Sequence, residues 1–512
     1  MDQATDTSPG AAARRRGIPS RTLRDWRRRA RQFRDPHRPI FSAFVEGAEG
    51  THSLHRIVLA AIFVFGVMNG AGAGTLRLFL NLAGLAPWIA CSERTLQRAL
   101  GNMTNAIGEW GDRTGEKLGE AMRRGPERTL SLALDETWKR SMILVAMDVG
   151  SGFLLAEVHA AKRDAATWTS SMAKAIGNLP VKIAQVVADE AKGITAYVSG
   201  LLGAHRSSDL FHGLYEFGAL LLALHAKLKQ AQTAADGTRA AQRAANGTGG
   251  ETVARAEHAA QQGEVRRLRG RIEVVRECVR GLSDAFHPVD LATGERVEAA
   301  TVCARMEQYI ARISYAAEES DVRPTVLERI AKVRRLVPKW TATLLWWAKF
   351  EADALATLNL AEPVAILVRT LLLPEVYLAV RQEKASDAAE RRALESVLAS
   401  LRAKLAASPT WSALSSETQA SLRAWCLWLV GHFVRASSCV EGHNGFLGLR
   451  YHHRRALPPH VLKALTVIHN YVLRREDGST AAARFFGTSH DDLFEHLVET
   501  IDPLPLPRKR AA

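Results

Sequence analysis

The sequence predicts an α/β protein, multidomain and helix-rich, in which a mixed sheet is interrupted by an all-α insertion and preceded by a helical N-terminal region. Three observations carry that reading. Strand-length apolar runs stand at residues 129–135, 142–148 and 153–158, the last two joined through Gly150-Ser151-Gly152, a hairpin signal. A helix-length segment, 164–178, leads to a fourth run at 181–188, which makes the sheet mixed and its crossover right-handed. From about 218 to 431 the pattern turns helical throughout. The implied division is a basic arm at 1–50, a helical region at 51–128, a first part of the core at 129–217, the insertion at 218–431 and a completion of the core at 432–512.

Bulk properties narrow the partners. A chain of 512 residues with 47% apolar and 24% charged residues is ordinary globular material. A net charge of +15 points to a polyanion, nucleic acid before anionic membrane. The five cysteines form no C-x-x-C pair, which argues against a disulfide framework or a zinc finger and fits a reducing cytoplasm. Residues 57–76 carry no charge over roughly the length of a membrane span, but Gly66, Gly70, Gly72 and Gly74 crowd the second half. A core helix ending in a glycine loop is the expectation there, with no membrane partner. No apolar run precedes the N-terminal arginines, so no signal peptide is expected.

Residues 14–38 hold eleven arginines against Asp25 and Asp35, and Leu23 and Trp26 fall on one helical face, so Arg24, Arg27 and Arg28 are candidate phosphate contacts. Further on, 76–82 reads as a short helix, 83–87 as a break, and 92–100 as a second helix capped by Ser92. Leu96 and Leu100 would face the core and leave Arg94, Gln97 and Arg98 outward, as in a helix-turn-helix that reads a major groove. Residues 104–128 read as a separate linking helix. Within the insertion, 221–244 and 251–282 read as an antiparallel coiled-coil hairpin around Asn246–Gly250, and most of its tryptophans as core.

Two acids lie at the carboxyl ends of predicted buried strands: Asp135 after the first and Asp189 after the fourth. Open α/β sheets bind ligands at that edge, and two carboxylates held together call for a hard cation between them. Neighbouring acids have blander roles: Glu136 should point to the other face, Asp148 should cap its turn, and Glu190 should open a helix. Residues 210–216 read as a fifth strand or a strand-to-helix passage. His212 there is either a site residue or a helix-start histidine. A third acid, Glu441, follows a Ser pair with Asn444 three residues on, facing the same way, and the basic run Arg450-Tyr-His-His-Arg-Arg455 comes next.

On these residues the chain resembles the DDE transposases of bacterial insertion sequences. The resemblance covers roughly 129–215 and 434–487. It rests on Leu134-Asp-Glu-Thr137, Val187-Ala-Asp-Glu190, Asp209-Leu-Phe-His212, Ser437-Ser-Cys-Val-Glu-Gly-His-Asn444 and the stretch from Asp477 to Gly487. It implies a ribonuclease-H-like core in which Asp135, Asp189 and Glu441 hold two Mg²⁺ or Mn²⁺ ions. DNA would be cut and joined at the ends of a mobile element by two-metal phosphoryl transfer. The wide interval between Asp189 and Glu441 is what a helical insertion before the last helix produces. The implied partners are double-stranded DNA and further copies of the chain, as a dimer or larger, in a bacterial cytoplasm. His212, Asn444, Arg450, Arg454 and Arg455 complete the expected DNA contacts. A metal-dependent nuclease of the same fold, and a domesticated DNA-binding protein without catalysis, are the two alternative readings.

Overall fold

The structure, a computed structural model, describes residue 45 and residues 47–247, 249–454 and 457–506. The chain falls into two units, one running through Asp112 and resuming at Asp491, the other spanning Arg113–His490.

In the first unit, helix α1 (Ala48–Ala61) continues without a break into a π-helical segment, Ile62–Met68. Gly70, with φ at 75°, takes the left-handed conformation that ends it. Helix α2 (Ala73–Leu82) follows, and then the start of α3 (Glu93–Arg123), whose first turn is capped by Ser92 Oγ accepting from the amide of Thr95 at 3.2 Å. The expected core helix is present; it begins earlier, at Ala48, runs through Gly66 and ends at Met68, before the glycine loop that Gly70 opens. The expected pair of helices at 92–100 and 104–128 is a single 31-residue helix, because Gly101 does not interrupt its backbone ladder. Ten residues separate α2 from α3, longer than the turn of a compact helix-turn-helix.

Two helical stretches, Ala48–Met68 and Glu362–Lys384, are long and apolar enough to cross a membrane; 44% and 50% of their apolar windows are buried inside the protein.

The second unit is built on a sheet of strands β1 (Arg128–Trp138), β2 (Met142–Asp148), β3 (Leu154–Ala160), β4 (Val181–Ala188) and β5 (His205–Ser208), in the order β3-β2-β1-β4-β5. The first three are antiparallel neighbours; β1, β4 and β5 are parallel. The protein is thus mixed α/β, mostly helical, with one mixed sheet. Helix α4 (Ala165–Ile176), capped by Asp164, makes the crossover, and α5 (Lys192–Tyr197) follows β4. The fifth strand comes earlier in the chain than expected: 205–208 pairs with β4, and 210–215 is a helix, α6 (Leu210–Tyr215). Polar His-Arg-Ser-Ser gives no apolar strand signal. Its buried hydroxyl Ser207 Oγ is satisfied instead by Gln185 Nε2 at 2.7 Å.

Helices α7 (Gly218–Ala245) and α8 (Glu251–Ala285) form the expected antiparallel hairpin, tied where Thr238 Oγ1 meets His258 Nδ1 at 3.2 Å. The insertion continues as α9 (Ala299–Glu318), α10 (Pro324–Arg334), α11 (Val337–Ala356), α12 (Glu362–Leu367), α13 (Leu373–Lys384), α14 (Ala388–Ala406), α15 (Pro409–Ser412) and α16 (Ser416–Gly431). Its interior buries Trp340, Trp347 and Trp411, which are core residues as expected. Helices α17 (Ser438–Arg454) and α18 (Pro459–Tyr471) then return to the sheet. Val440, Leu447, Leu462 and Leu465 pack on Ala133, Val145 and Val187, so the last quarter of the chain covers one face of strands laid down in the first half. Helix α19 (Ala481–Phe486) ends this unit, and α20 (Leu493–Thr500) belongs to the first. Arg128 at the start of β1 donates to the carbonyl of Phe485 at 2.7 Å, locking α19 to the sheet.

Candidate functional site

The register of the parallel strands builds the site. Ala133 pairs with Val187, the last pair between β1 and β4. Two residues beyond that pair stand Asp135 and Asp189, level with each other at the point where the two strands stop bonding. β1 runs on to Trp138 against β2, while β4 ends at Ala188. The two acids therefore share one sheet edge.

Alternation along β1 sends Asp135 to the face of Ala133, under α17, and Glu136 to the opposite face. There Trp168 Nε1 donates to Glu136 Oε1 at 3.2 Å and Arg163 lies 3.5 Å away, which removes Glu136 from the site as expected. Asp148 caps its turn, accepting from the amide of Ser151 at 2.9 Å. Glu190 does not open a helix. It accepts from Ser208 Oγ at 2.6 Å and pairs with Arg206 at 3.2 Å and with Lys339 of the insertion. Burial works against its charge, but those three partners outweigh it and hold its carboxyl below the usual range.

Asp135 makes no ion pair among the described residues, and the charge of His212 offsets its crowding only in part. It is 9% exposed, and Asn444 Nδ2 donates to its Oδ2 at 2.5 Å. Burial first, then Glu441 and Asp189, push its carboxyl up to about 7. Those couplings bring the three expected acids into one electrostatic cluster. Asp189 Oδ1 accepts from the amide of Ala191 at 2.9 Å, which fixes the turn after β4.

Glu441 lies in the first turn of α17, where its charge suits the helix dipole. Its Oε1 stands 3.3 Å from His212 Nε2, and the other ring nitrogen of His212 lies 2.6 Å from Asp209 Oδ2. Asp209 caps α6 through the amide of Phe211 at 2.8 Å, and Ser437 Oγ donates to it at 2.5 Å. The hydrogen bond to Asp209 is the main reason the imidazole is pushed up to about 9, so His212 is a cation at neutral pH. Asp209 was not singled out from the sequence as a site residue. Its signal was available: an acid three residues before a histidine at a helix start.

A second buried network holds α17 in place. His443 Nε2 lies 2.5 Å from Glu157 Oε1, and Thr466 Oγ1 donates to Glu157 Oε2 at 2.5 Å. Strand β3 is thereby bonded to both α17 and α18.

The other expected contacts divide. Arg94, Gln97 and Arg98 are exposed on α3 while Leu96 is buried, the outward face that was predicted. Leu100 is only half-buried. Arg450 is 7% exposed, so it lies inside the fold rather than on a basic solvent face. The periodicity of α17 turns it inward, where a free phosphate contact is not on offer. Arg24, Arg27, Arg28 and Arg455 lie outside the described residues, as does the side chain of Arg454.

As they stand, no three His, Cys, Asp or Glu side chains among the described residues are grouped to hold a metal ion. The residues nevertheless fit a hard divalent cation in chemistry. Their donors are carboxylate and amide oxygens, Asn444 Oδ1 is buried without a partner, and Asp135 is crowded by two like charges.

Comparison with known proteins gives little beyond this geometry. A family of unknown function, DUF6399, matches residues 368–512, the stretch that carries Glu441 and Asn444 but neither aspartate. No curated protein and no solved structure matches the chain.

Proposed function

We propose that this chain is a DNA transposase of the DDE type, which cuts and joins DNA at the ends of its own mobile element. The observation that carries the reading is the placement of Asp135 and Asp189 level on adjacent parallel strands, with Glu441 of a later helix coupled to Asp135. A ribonuclease-H-like core split by a helical insertion is the finer fold that goes with it. Asp135, Asp189 and Glu441 would hold Mg²⁺ or Mn²⁺, with Asn444 Oδ1 as a further oxygen donor. A divalent cation there supplies activation of an attacking oxygen and stabilisation of a leaving 3′ oxygen.

The chain's own residues prepare that chemistry. Asn444 fixes the rotamer of Asp135, and Asp209 with Ser437 fixes His212. The charged His212 balances Glu441, and its Nε2 would be released to donate to a phosphate oxygen where Glu441 turns away to hold a cation. Double-stranded DNA is the proposed substrate, engaged also by the exposed Arg94, Gln97 and Arg98, and a dimer or larger assembly follows from acting on two ends.

Incubating the chain with supercoiled plasmid and Mg²⁺ tests the reading. Nicked product together with strand-transfer product supports it, whereas nicking alone selects the nuclease alternative. DNA binding with neither product, in the wild type as in Asp135→Asn, selects the non-catalytic one.

A further inference from the structure

The helical insertion carries a groove that the acidic notch does not use. It follows the seam between α8 and α9, encloses about 600 Å³, and is lined by Arg267, Arg271 and Val274 on one side and Arg312 and Tyr315 on the other. On each helix these residues recur three or four apart and so share a face. The floor is apolar, made by Val274, Ala311 and Ala316. Tyr315 is 66% exposed, so its ring is open to a ligand lying along the seam.

Charge in the groove is only partly offset. Arg267 pairs with Glu264 at 2.5 Å, and Arg271 reaches Glu319 at 3.4 Å and Ser320 Oγ at 3.2 Å. Among the described residues Arg312 makes no ion pair, nor do Arg266 and Arg269, exposed on α8 in the run Arg266-Arg267-Leu-Arg269-Gly-Arg271 but outside the lining. A ligand that suits guanidinium groups flanking an open aromatic ring is anionic along one edge and flat on its faces. A nucleic-acid strand has that form, with phosphates for the arginines and a base for the ring. An acidic polypeptide would use the arginines and leave Tyr315 idle.

We propose that this groove binds a single strand of nucleic acid, with Arg267, Arg271 and Arg312 on its phosphates and Tyr315 stacked on a base. Helix α8 links the groove to the acidic notch. Arg435 Nη1 donates to the carbonyls of Ser283 and Phe286 at the end of α8, and the carbonyl of Arg435 accepts from the amide of Leu210 at the head of α6. Arg271 stands twelve residues before Ser283, roughly 18 Å along the helix at its usual rise. That reach rests on the proposed role of the acids; strand binding rests on the groove alone.

The test uses the full chain in EDTA with a fluorescent twenty-nucleotide oligo-dT. Ultraviolet crosslinking followed by peptide mapping reads the groove locally, so binding by other basic segments does not mask it. The expected result is a crosslink at Tyr315. Tyr315→Leu should weaken binding by about fivefold to a hundredfold. Arg267→Ala/Arg271→Ala/Arg312→Ala should flatten the salt dependence of the log affinity by about two. Arg267, Arg312 and Tyr315 are exposed and Arg271 is half-buried, and unchanged circular dichroism melts check the folding of both variants. A crosslink map without Tyr315, together with unchanged affinity and salt slope, overturns the proposal. So does competition by poly-glutamate as strong as by oligo-dT of equal charge with Tyr315→Leu neutral, which would mark a protein-docking face. Loss in Tyr315→Leu without any metal-dependent cleavage by the wild type would keep the groove and remove the transposase; the reverse pattern would do the opposite.

Discussion

Asn444 on α17 donates through Nδ2 to Asp135 Oδ2 on β1 at 2.5 Å, a hydrogen bond that spans 309 positions of the chain. It is the direct tie between the strand acid and the helix that bears Glu441. Asn444→Ala should therefore lower Mg²⁺-dependent cleavage by about 10–100-fold, the usual cost of losing a partner that orients a metal ligand. Duplex affinity in EDTA should stay within twofold. Equal losses in cleavage and binding would make Asn444 a DNA contact instead.

Replacing the acids by their amides separates chemistry from folding. Asp135→Asn, Asp189→Asn and Glu441→Gln should each lower cleavage by at least about a thousandfold, the several kcal/mol that a held cation contributes. Asp135→Asn should also raise the thermal midpoint in EDTA, because Asp135 is crowded by Glu441 and Asp189. A lower midpoint in all three would mean that these carboxylates serve the fold.

The acid cluster also sets a pH dependence. The carboxyl of Asp135 is raised from 3.8 to about 7. A raised folded-state value favours the native state when protonated, so this contribution is full below about 3.8 and lost as pH rises through about 7. His212, raised from 6.5 to about 9, contributes fully below about 6.5 and loses its share as pH rises through about 9. Thermal midpoints in EDTA should thus fall in two steps. Asp135→Asn should remove the lower step and His212→Gln the upper. Mg²⁺ should compete with the proton on Asp135 and bind more tightly as pH rises through 7.

Glu157 tests how α17 is held. Its carboxylate meets His443 and Thr466 in the core, both at 2.5 Å. Glu157→Ala should cost about 1–3 kcal/mol for each buried group left without a partner, read by urea unfolding. It should also lower cleavage through misplacement of Glu441. A stability loss with unimpaired cleavage would separate this network from the site.

Much of this site was legible in the chain because strand ends are legible. The runs 129–135 and 181–188 are apolar enough to define themselves, and Asp135 and Asp189 follow from them, although β1 continues past Asp135 to Trp138 through its pairing with β2. Asp209 and β5 were harder: a strand of four polar residues is stabilised by pairing with β4 and by Gln185, neither visible locally. Glu190 was misplaced for a similar reason, since its partner Lys339 comes from the insertion 149 positions away. Arg450 looked like part of a basic face because charge was read along the chain. Helical rotation turns it inward while Leu449 beside it is 75% exposed. Long helices without internal breaks, such as α3, defeat boundary reading because a glycine is tolerated within a strong apolar period.

The most direct test is a crystal structure with Mn²⁺, using anomalous scattering to locate the ion. The account predicts one or two peaks within about 2.2 Å of carboxylate oxygens of Asp135, Asp189 and Glu441, with Glu441 turned away from His212. Peaks elsewhere, or a Glu441 still paired with His212 at saturating Mn²⁺, would contradict it.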